Sequence, residues 1–258
     1  MGRVEAKVAV VTGGAGGMGE AIGQKLAEEG AKVVLTDLSA DGEAVAERLR
    51  GAGLDVTFRV HDVTDESSWT EALQAVVQTH GRVDILVNNA GIASGKGQPF
   101  DSIALDDWRR VMRVNLDGVF IGMREAIKLM KTSGGGSIVN IGSVAGFVGT
   151  RGGAGYGTSK GALRTLTRQA AYSCAKHNYG VRVNVIHPSY VWTPLVAKKA
   201  IAEYGSKEAA MAAFAAHSAL GRMNEPEDVA WAVLYLASDE SRQVTGIDLV
   251  IDAGQLIL

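Results

Sequence analysis

The chain has 258 residues, and its formal net charge of −2 at pH 7 offers no basic surface on which a nucleic acid would bind. Hydrophobic residues make up 47% of it, enough for a sizeable core, yet no apolar run reaches the roughly 18 residues of a membrane-spanning helix. The single cysteine, Cys174, excludes an internal disulfide and lacks zinc-ligand partners at the usual spacing. We therefore expect no metal site and a reducing, cytoplasmic location.

Strand-like apolar runs alternate with helical patterns along the chain. Most of the runs are continuous in Val, Ile and Leu, which is typical of strands that are buried on both faces. This alternation predicts right-handed βαβ units in an α/β fold, with a doubly wound parallel sheet of seven strands in a single domain over residues 1–258. The predicted strands are Lys7–Thr12, Lys32–Asp37, Val56–His61, Val83–Asn88, Ser137–Ser143, Val181–His187 and Ile247–Asp252, and the predicted helices lie near residues 17–29, 41–51, 66–80, 106–131, 155–178 and 226–238.

One segment breaks this rhythm. Thr193–Met223 is a long insertion between the sixth strand and the last helix, rich in Ala, Lys and Met at helical spacing. In a compact domain, an insertion of this length is usually a lid or a binding element. We therefore predict a small substrate lid near residues 193–223; the alternative is a pair of surface helices with no part in binding.

The first predicted strand runs into a glycine-rich loop, Gly13-Gly14-Ala15-Gly16-Gly17-Met18-Gly19, and a predicted helix follows. Glycines let the backbone approach a pyrophosphate, whose charge then lies at the helix N-terminus. Asp37 closes the second strand, where a carboxylate accepts hydrogen bonds from the hydroxyls of an adenosine ribose. The loop alone would be only a tight turn and Asp37 only a surface residue, but together they predict a Rossmann-type dinucleotide site.

The glycine spacing is Gly13-x-x-x-Gly17-x-Gly19, and two more motifs follow in order: Asp62-Val63 after the third strand, and Asn88-Asn89-Ala90-Gly91 at the end of the fourth. In this order the chain resembles the short-chain dehydrogenase/reductase family over essentially its whole length. The segments Phe120-Ile121-Gly122-Met123 and Ala170-Ala171-Tyr172-Ser173-Cys174 are similar to those of bacterial secondary-alcohol and hydroxysteroid dehydrogenases. Because the Asp37 carboxylate would repel the 2′-phosphate of NADP, we predict NAD as the cofactor. In the first half of the chain the family resemblance implies these cofactor-binding residues: Gly13, Gly16, Gly17, Met18, Gly19, Asp37, Leu38, Asp62, Val63, Asn89, Ala90 and Gly91.

Tyr156 and Lys160 open a predicted helix at positions i and i+4, so they share one helical face. A neighbouring ammonium group and a positively charged nicotinamide both lower the pKa of a phenol, which can then exchange a proton with an alcohol. Ser143 ends a predicted strand, where its hydroxyl can hold the substrate oxygen. The family resemblance implies Tyr156 as the acid/base, Lys160 as the group that tunes it, and Ser143 as the residue that orients the substrate. It also implies Asn115 as a relay to the lysine, and cofactor contacts from Tyr156 and Lys160.

The segment His187–Pro194 corresponds to the family segment that meets the nicotinamide. The resemblance implies contacts from Pro188, Ser189, Val191 and Thr193. Family members usually have Pro-Gly here, so Ser189 puts the local backbone in question because Ser adopts positive φ less readily than Gly. Near the C-terminus, Ala253 likewise replaces the first Gly of a common Asp-Gly-Gly.

The residues expected around the substrate are mostly apolar and include no cluster of Arg or Lys to clamp a phosphate or carboxylate. They favour a neutral, hydrophobic secondary alcohol or ketone (cyclic, aryl or steroidal) that exchanges a hydride with the nicotinamide. Besides the 195–220 part of the insertion, they are Ser94, Ser143, Val144, Ala145, Phe147, Tyr190 and Trp192.

Two other functions remain as alternatives. A 3-oxoacyl-carrier reductase would prefer NADPH and present a basic docking patch, which Asp37 and the absence of such a patch disfavour. A redox-silent NAD-binding sensor or scaffold would not need the complete catalytic set. The length and apolar faces of helices 106–131 and 155–178, together with the family resemblance, predict a homotetramer.

Overall fold

The structure is a computed structural model that describes residues 2–93, 98–149 and 152–258. The strands of its described residues are β1 (Val8–Thr12), β2 (Lys32–Asp37), β3 (Val56–Val60), β4 (Ile85–Asn88), β5 (Gly136–Ile141), β6 (Val181–Pro188) and β7 (Asp248–Ile251). They form one parallel sheet in the order β3-β2-β1-β4-β5-β6-β7. Each coincides with one of the predicted apolar runs, and the predicted doubly wound α/β fold is confirmed.

Strand β1 lies in the middle of the sheet, paired with β2 on one side and β4 on the other. The chain winds outward from β1 to β3, then returns to β4 and winds the opposite way to β7. Where the winding reverses, a crevice opens at the carboxyl ends of β1 and β4, and doubly wound sheets bind their ligands there. The fold therefore brings the glycine loop after β1 beside Asn89 after β4, whose amide donates to the Thr12 carbonyl at 2.9 Å.

Helices cover both faces of the sheet, which explains why β1 is buried along its whole length. The helices of the described residues are α1 (Gly17–Glu28), α2 (Gly42–Gly51), α3 (Glu66–His80), α4 (Leu105–Met112), α5 (Gly118–Met130), α6 (Ala154–Lys176), α7 (Pro194–Tyr204), α8 (Lys207–Ala215) and α9 (Pro226–Ala237). Apolar residues of α1, α2 and α9 pack on one face of the sheet, and those of α3, α5 and α6 pack on the other. Within the described ranges, no helix is long and apolar enough to cross a membrane.

The predicted helix 106–131 differs from the observed structure at its centre. A π-helical turn, Arg113–Asp117, joins α4 to α5. Asn115 lies in this turn and is fully buried. Its Oδ1 accepts a hydrogen bond from the backbone N–H of Ile92 at 2.8 Å, and its Nδ2 donates to the carbonyl of Ile92 at 2.8 Å. This distant contact stabilises the wider turn, so local periodicity does not reveal it. Such turns are frequent at functional sites.

The insertion folds into α7 and α8. Thr193 caps α7 by accepting from the Val196 N–H at 3.3 Å, and Ser206 caps α8 by accepting from the Ala209 N–H at 3.1 Å. Between them Gly205 ends α7 with φ of 86°, a left-handed conformation that glycine adopts readily. The two helices are therefore separated by a defined break.

Candidate active site

The N-terminus of α1 opens onto the crevice. Gly16, which precedes the helix, makes no side-chain cap, and a Cβ there would meet nothing within 4 Å. A Cβ at Gly19 would lie 2.0 Å from the carbonyl oxygen of Gly13, so the helix can begin this close to the loop only with glycine at position 19. The first N–H groups of α1 are thus presented to the groove, as the binding of a pyrophosphate requires.

Asp37 lies at the end of β2, with its carboxylate held by two backbone groups. Oδ2 accepts from the Ala15 N–H and Oδ1 accepts from the Ser39 N–H, both at 3.1 Å. These bonds fix the carboxylate at the rim of the groove, where ribose hydroxyls would be bound. The guanidinium of Arg48, on α2, pairs at 2.6 Å with Glu20, which lines the same groove as Asp37.

The groove at the carboxyl ends of β1, β2 and β4 has a volume of about 640 Å³. It is large enough for the adenosine and diphosphate of a dinucleotide. Gly19 packs against Gly13 and is not among the described lining residues of the groove, while Pro188, Ser189, Val191 and Tyr156 line an adjoining cavity. The predicted cofactor residues that line the groove are Gly13, Gly16, Gly17, Met18, Asp37, Leu38, Asp62, Val63, Asn89, Ala90, Gly91 and Thr193.

His61 also lines the groove, although the sequence patterns gave it no binding role. Its Nδ1 lies 3.1 Å from the hydroxyl of Thr36, and its ring makes an edge contact with Trp69 at 4.3 Å between centroids. Burial lowers the pKa of His61 to about 4, so the ring is neutral at physiological pH. It therefore adds a flat, uncharged wall to the groove.

Tyr156 and Lys160 lie in the first turns of α6, below the carboxyl end of β5. Nζ of Lys160 donates to the carbonyl of Ile141 at 2.7 Å and lies 5.7 Å from the centroid of the Tyr156 ring. Burial lowers the pKa of Lys160 to about 8. Burial also raises the pKa of Tyr156, and a hydrogen bond from the Ser143 hydroxyl opposes that rise. Ser143, Tyr156 and Lys160 are thus brought together as the sequence predicted.

Asn115 reaches this group from the π turn. Its Nδ2 donates to Oγ of Ser159 at 3.1 Å, and that hydroxyl donates to the carbonyl of Tyr156 at 2.7 Å. A Cβ added to Gly91 would lie 3.4 Å from Oδ1 of Asn115 and 3.5 Å from Nζ of Lys160. Asn115 and Lys160 therefore border the same space above Gly91, although no direct bond joins them.

The burial of the Lys160 ammonium group should make the free energy of unfolding depend on pH. In the folded chain its pKa is about 8, against 10.5 for an ordinary lysine. Between these pH values the unfolded chain binds more protons, so the stability of the wild type rises with pH. Lys160→Met has no such dependence. The free energy of unfolding of the wild type should therefore rise relative to that of Lys160→Met by about 3 kcal/mol between pH 7 and pH 10.5.

Urea unfolding at several pH values measures this difference. Lys176→Met, which removes an exposed lysine from the same helix, is the control for the loss of one positive charge. If the difference in free energy of unfolding between the wild type and Lys160→Met did not change with pH, the pKa of Lys160 would not be lowered in the folded chain.

A cavity of about 290 Å³ opens beside Ser143 and Tyr156. Of the predicted substrate residues, Ser143, Val144, Ala145 and Tyr190 line it. Phe147 instead packs against His187, and Trp192 packs near Lys207. Ser94 lies outside the described residues. The insertion contributes an aromatic wall in which the ring of Phe214 lies 4.5 Å from that of Tyr190 and 5.9 Å from that of Tyr204.

The two departures from the family pattern differ in effect. Ser189 has no positive φ, and its hydroxyl accepts a hydrogen bond from the Asn224 amide at 3.0 Å. Asn224 also donates to the carbonyl of Ile251 at 2.7 Å, so it ties the segment after β6 to β7. Ala253, in contrast, has φ of 50°, a region that glycine adopts at lower cost. The backbone concern thus applies to Ala253 and not to Ser189.

Comparisons with known proteins agree with this arrangement. A family model described as enoyl-(acyl carrier protein) reductase matches residues 13–255. The NADP-dependent (R)-specific alcohol dehydrogenase of Lentilactobacillus kefiri is 44% identical, over 98% of this chain and 97% of that protein. The cyclopentanol dehydrogenase of Comamonas testosteroni is 40% identical, over 98% of each. The chain belongs to the short-chain dehydrogenase/reductase family.

A solved structure of a levodione reductase matches with a TM-score of 0.90 and 33% identity, covering 97% of this chain and 98% of that one. As a short-chain dehydrogenase/reductase, the chain is an oxidoreductase whose family binds a nicotinamide cofactor. Its groove fits such a cofactor, because the uncapped N-terminus of α1 faces it and a carboxylate is fixed at its rim. Family membership leaves the substrate open, since the family model and the relatives carry different names.

Proposed function

We propose that the chain is an NAD-dependent secondary-alcohol dehydrogenase and ketone reductase for neutral, hydrophobic substrates. The observation that carries this proposal is that Ser143 and Tyr156 line a cavity that adjoins the dinucleotide groove, with Nζ of Lys160 lying 5.7 Å from the centroid of the Tyr156 ring. Met18 and Thr193 border both spaces. A bound substrate would therefore lie between the proton-transfer group and the end of the groove that holds the nicotinamide.

In alcohol oxidation, bound NAD supplies the acceptor for the hydride that leaves the carbinol carbon. Tyr156 takes the hydroxyl proton of the alcohol, so the C–O single bond becomes a carbonyl as the hydride departs. Ser143 donates a hydrogen bond to the same oxygen and holds it beside the phenol. Lys160 favours the phenolate by its positive charge. In ketone reduction each of these steps runs in reverse.

The proposal of NAD rests on Asp37. Its carboxylate is fixed at the groove rim by two N–H groups, in a position suited to a ribose diol. The relative from L. kefiri is named as NADP-dependent, so relatedness does not choose the cofactor. A fixed carboxylate repels a 2′-phosphate, which favours NAD.

The proposed substrate class rests on the cavity wall. Val144, Ala145, Val196 and Ala200 supply apolar surface, and the aromatic wall of Tyr190, Tyr204 and Phe214 offers flat faces for a ring. Among the described lining residues the only cation is Lys199, so no cluster clamps an anion. Cyclic, aryl and steroid alcohols match this surface.

The direct test is a screen of cyclic, aryl and steroid secondary alcohols with NAD. The absorbance of the reduced nicotinamide reports turnover. Turnover of at least one of these classes is expected. An acyl-carrier-bound 3-oxo substrate with NADPH belongs in the same screen, because the family model is described as an acyl carrier protein reductase. NAD binding without turnover of any of these substrates would favour the redox-silent sensor or scaffold instead.

Phe214→Ala should lower kcat/KM for aryl and cyclic alcohols about fivefold, because an aromatic pair contributes about 1 kcal/mol beyond area burial. A small acyclic secondary alcohol, which cannot reach the aromatic wall, should be affected less. Steady-state kinetics with both alcohols measure the ratio. Met211→Ala, on the same helix but lining a separate surface depression, is the matched control. Equal losses of kcat/KM for both alcohols would show that the aromatic wall does not take part in substrate recognition.

We also propose a cytoplasmic homotetramer. Leu105 on α4, Phe120 on α5 and Tyr172 on α6 expose 59%, 47% and 66% of their surfaces, so these helices carry apolar area beyond what packs on the sheet. Light scattering at micromolar concentration should give a mass near four chains, and a monomeric mass would overturn the proposal.

A further inference from the structure

His187, the penultimate residue of strand β6, has no role in the catalytic set, yet it is completely buried beside that set. Its ring occupies the space that Gly142 leaves at the end of β5: a Cβ on Gly142 would lie 2.4 Å from Nδ1 of His187. Phe147 packs edge-on against the ring at 4.8 Å between centroids, and the Arg164 guanidinium covers Phe147 at 3.8 Å. The ring is thus held in one orientation.

Asp248, on β7, determines which nitrogen of His187 carries the proton. Its Oδ1 lies 2.9 Å from Nε2. The carboxylate also accepts from Arg164 at 3.4 Å and from Arg168, so two guanidinium groups keep it ionised. An ionised carboxylate only accepts hydrogen bonds, and Nε2 must therefore be the donor.

The second ring nitrogen then has to be an acceptor. Burial lowers the pKa of His187. The Asp248 carboxylate opposes this effect, and the positive charge of Arg164 adds a smaller lowering. The ring is neutral at pH 7, so Nδ1 carries no hydrogen when Nε2 does. Of the two Ser143 backbone atoms near Nδ1, the N–H at 3.2 Å can form a hydrogen bond and the carbonyl oxygen at 3.1 Å cannot.

Ser143 is thereby held on two sides. Its backbone is extended, its N–H is bound by His187, and its Oγ accepts from the Ala145 N–H at 3.1 Å. The hydroxyl hydrogen and the remaining lone pair are left for Tyr156 and the substrate. We propose that His187, oriented by Asp248, is a positioning residue that fixes the Ser143 hydroxyl for the reaction. This inference rests on the proposed function, in which Ser143 holds the substrate oxygen.

Two variants of nearly identical shape separate positioning from packing. In His187→Asn the side-chain oxygen can replace Nδ1 as the acceptor for Ser143, whereas His187→Leu offers no acceptor. We expect kcat of His187→Leu to fall about 10-fold or more, because a misplaced orienting group lowers the rate of the chemical step. His187→Asn should keep most of its kcat, with KM for the alcohol and Kd for NAD little changed in both variants. Equal kcat in the two variants would overturn the proposal, since a purely structural role predicts equal losses.

Nitrogen NMR of the wild-type protein labelled at histidine tests the same proposal without turnover and without dependence on how the variants fold. Comparison with His187→Asn assigns the signal, and selective assignment through Ser143 serves if that variant does not fold. We expect a neutral ring protonated at Nε2 at pH 7. A ring protonated at Nδ1, or at both nitrogens, would overturn the proposal. If the wild type turned over no alcohol, the proposed function would fail while the tautomer measurement would still decide how His187 contacts Ser143.

Discussion

Replacing Tyr156 by Phe is expected to lower kcat by about 10²–10⁴-fold, the usual contribution of a positioned acid/base. The substitution removes only the hydroxyl and keeps the half-buried aromatic ring, so NAD binding should stay nearly intact. Lys160 keeps its hydrogen bond to Ile141, and Ser143 keeps its contacts with His187 and Ala145. The loss should therefore appear in the chemical step. Steady-state rates with a secondary alcohol, together with NAD titration by protein fluorescence, measure the two effects separately.

Tyr172→Phe is the matched control, because it deletes the same hydroxyl from an exposed residue of the same helix. It should keep the rate of the wild type. Retention of more than a few per cent of kcat by Tyr156→Phe would exclude Tyr156 as the main proton-transfer group and would leave Ser143 or a water to supply the proton.

The second large effect concerns the cofactor. We expect kcat/KM to favour NAD over NADP by at least about 10²-fold, because like charges in contact at a partly desolvated site cost roughly 3 kcal/mol. The Asp37 carboxylate cannot turn away without losing its bonds to Ala15 and Ser39. Arg48, the nearby cation on α2, is paired with Glu20.

Asp37→Ser combined with Leu38→Arg should reverse this preference. The first change removes the repulsion. The second places a guanidinium on a side chain that is 69% exposed at the groove rim. A charge-assisted hydrogen bond to the 2′-phosphate adds about 1.5 kcal/mol or more, so the NAD/NADP ratio should change by about 10³-fold in all.

Steady-state kinetics with NAD and NADP measure this ratio. Asp41→Asn is the control: Asp41 is a second carboxylate of the same loop, which accepts from the Ser39 hydroxyl, and its removal should leave the ratio unchanged. Comparable efficiencies of the unmodified enzyme with NAD and NADP would remove the role assigned to Asp37.

Much of the fold could be predicted because most of the strands are short, continuous apolar runs that alternate with helical patterns. Such runs, as in β1, are typical of strands in the middle of a covered parallel sheet. That Ser143, Tyr156 and Lys160 lie close together was also predictable. Tyr156 and Lys160 are one helical turn apart, and the carboxyl end of β5 brings Ser143 to the same edge of the sheet. These placements follow from short-range geometry and sheet topology.

The remaining features depend on contacts between distant parts of the chain. The π turn at Asn115 is stabilised by the backbone of Ile92, which lies 23 residues earlier in the chain. The directions of Phe147 and Trp192 depend on which neighbours they pack against, and alternation of apolar residues does not specify that choice. His187 has no sequence signature either, since its partner Asp248 lies 61 residues further along the chain, on another strand.

The groove and the cavity use largely separate parts of the sequence. Apart from Val114 and the 193–194 junction, the described groove residues lie within 13–92, whereas the cavity draws mainly on residues 142–255. Only Met18 and Thr193 are common to the two described linings. Changes at separated sites without shared partners generally have additive effects. Evolution can therefore retune the substrate without disturbing the cofactor, and combining Phe214→Ala with the Asp37 and Leu38 substitutions should multiply their separate effects.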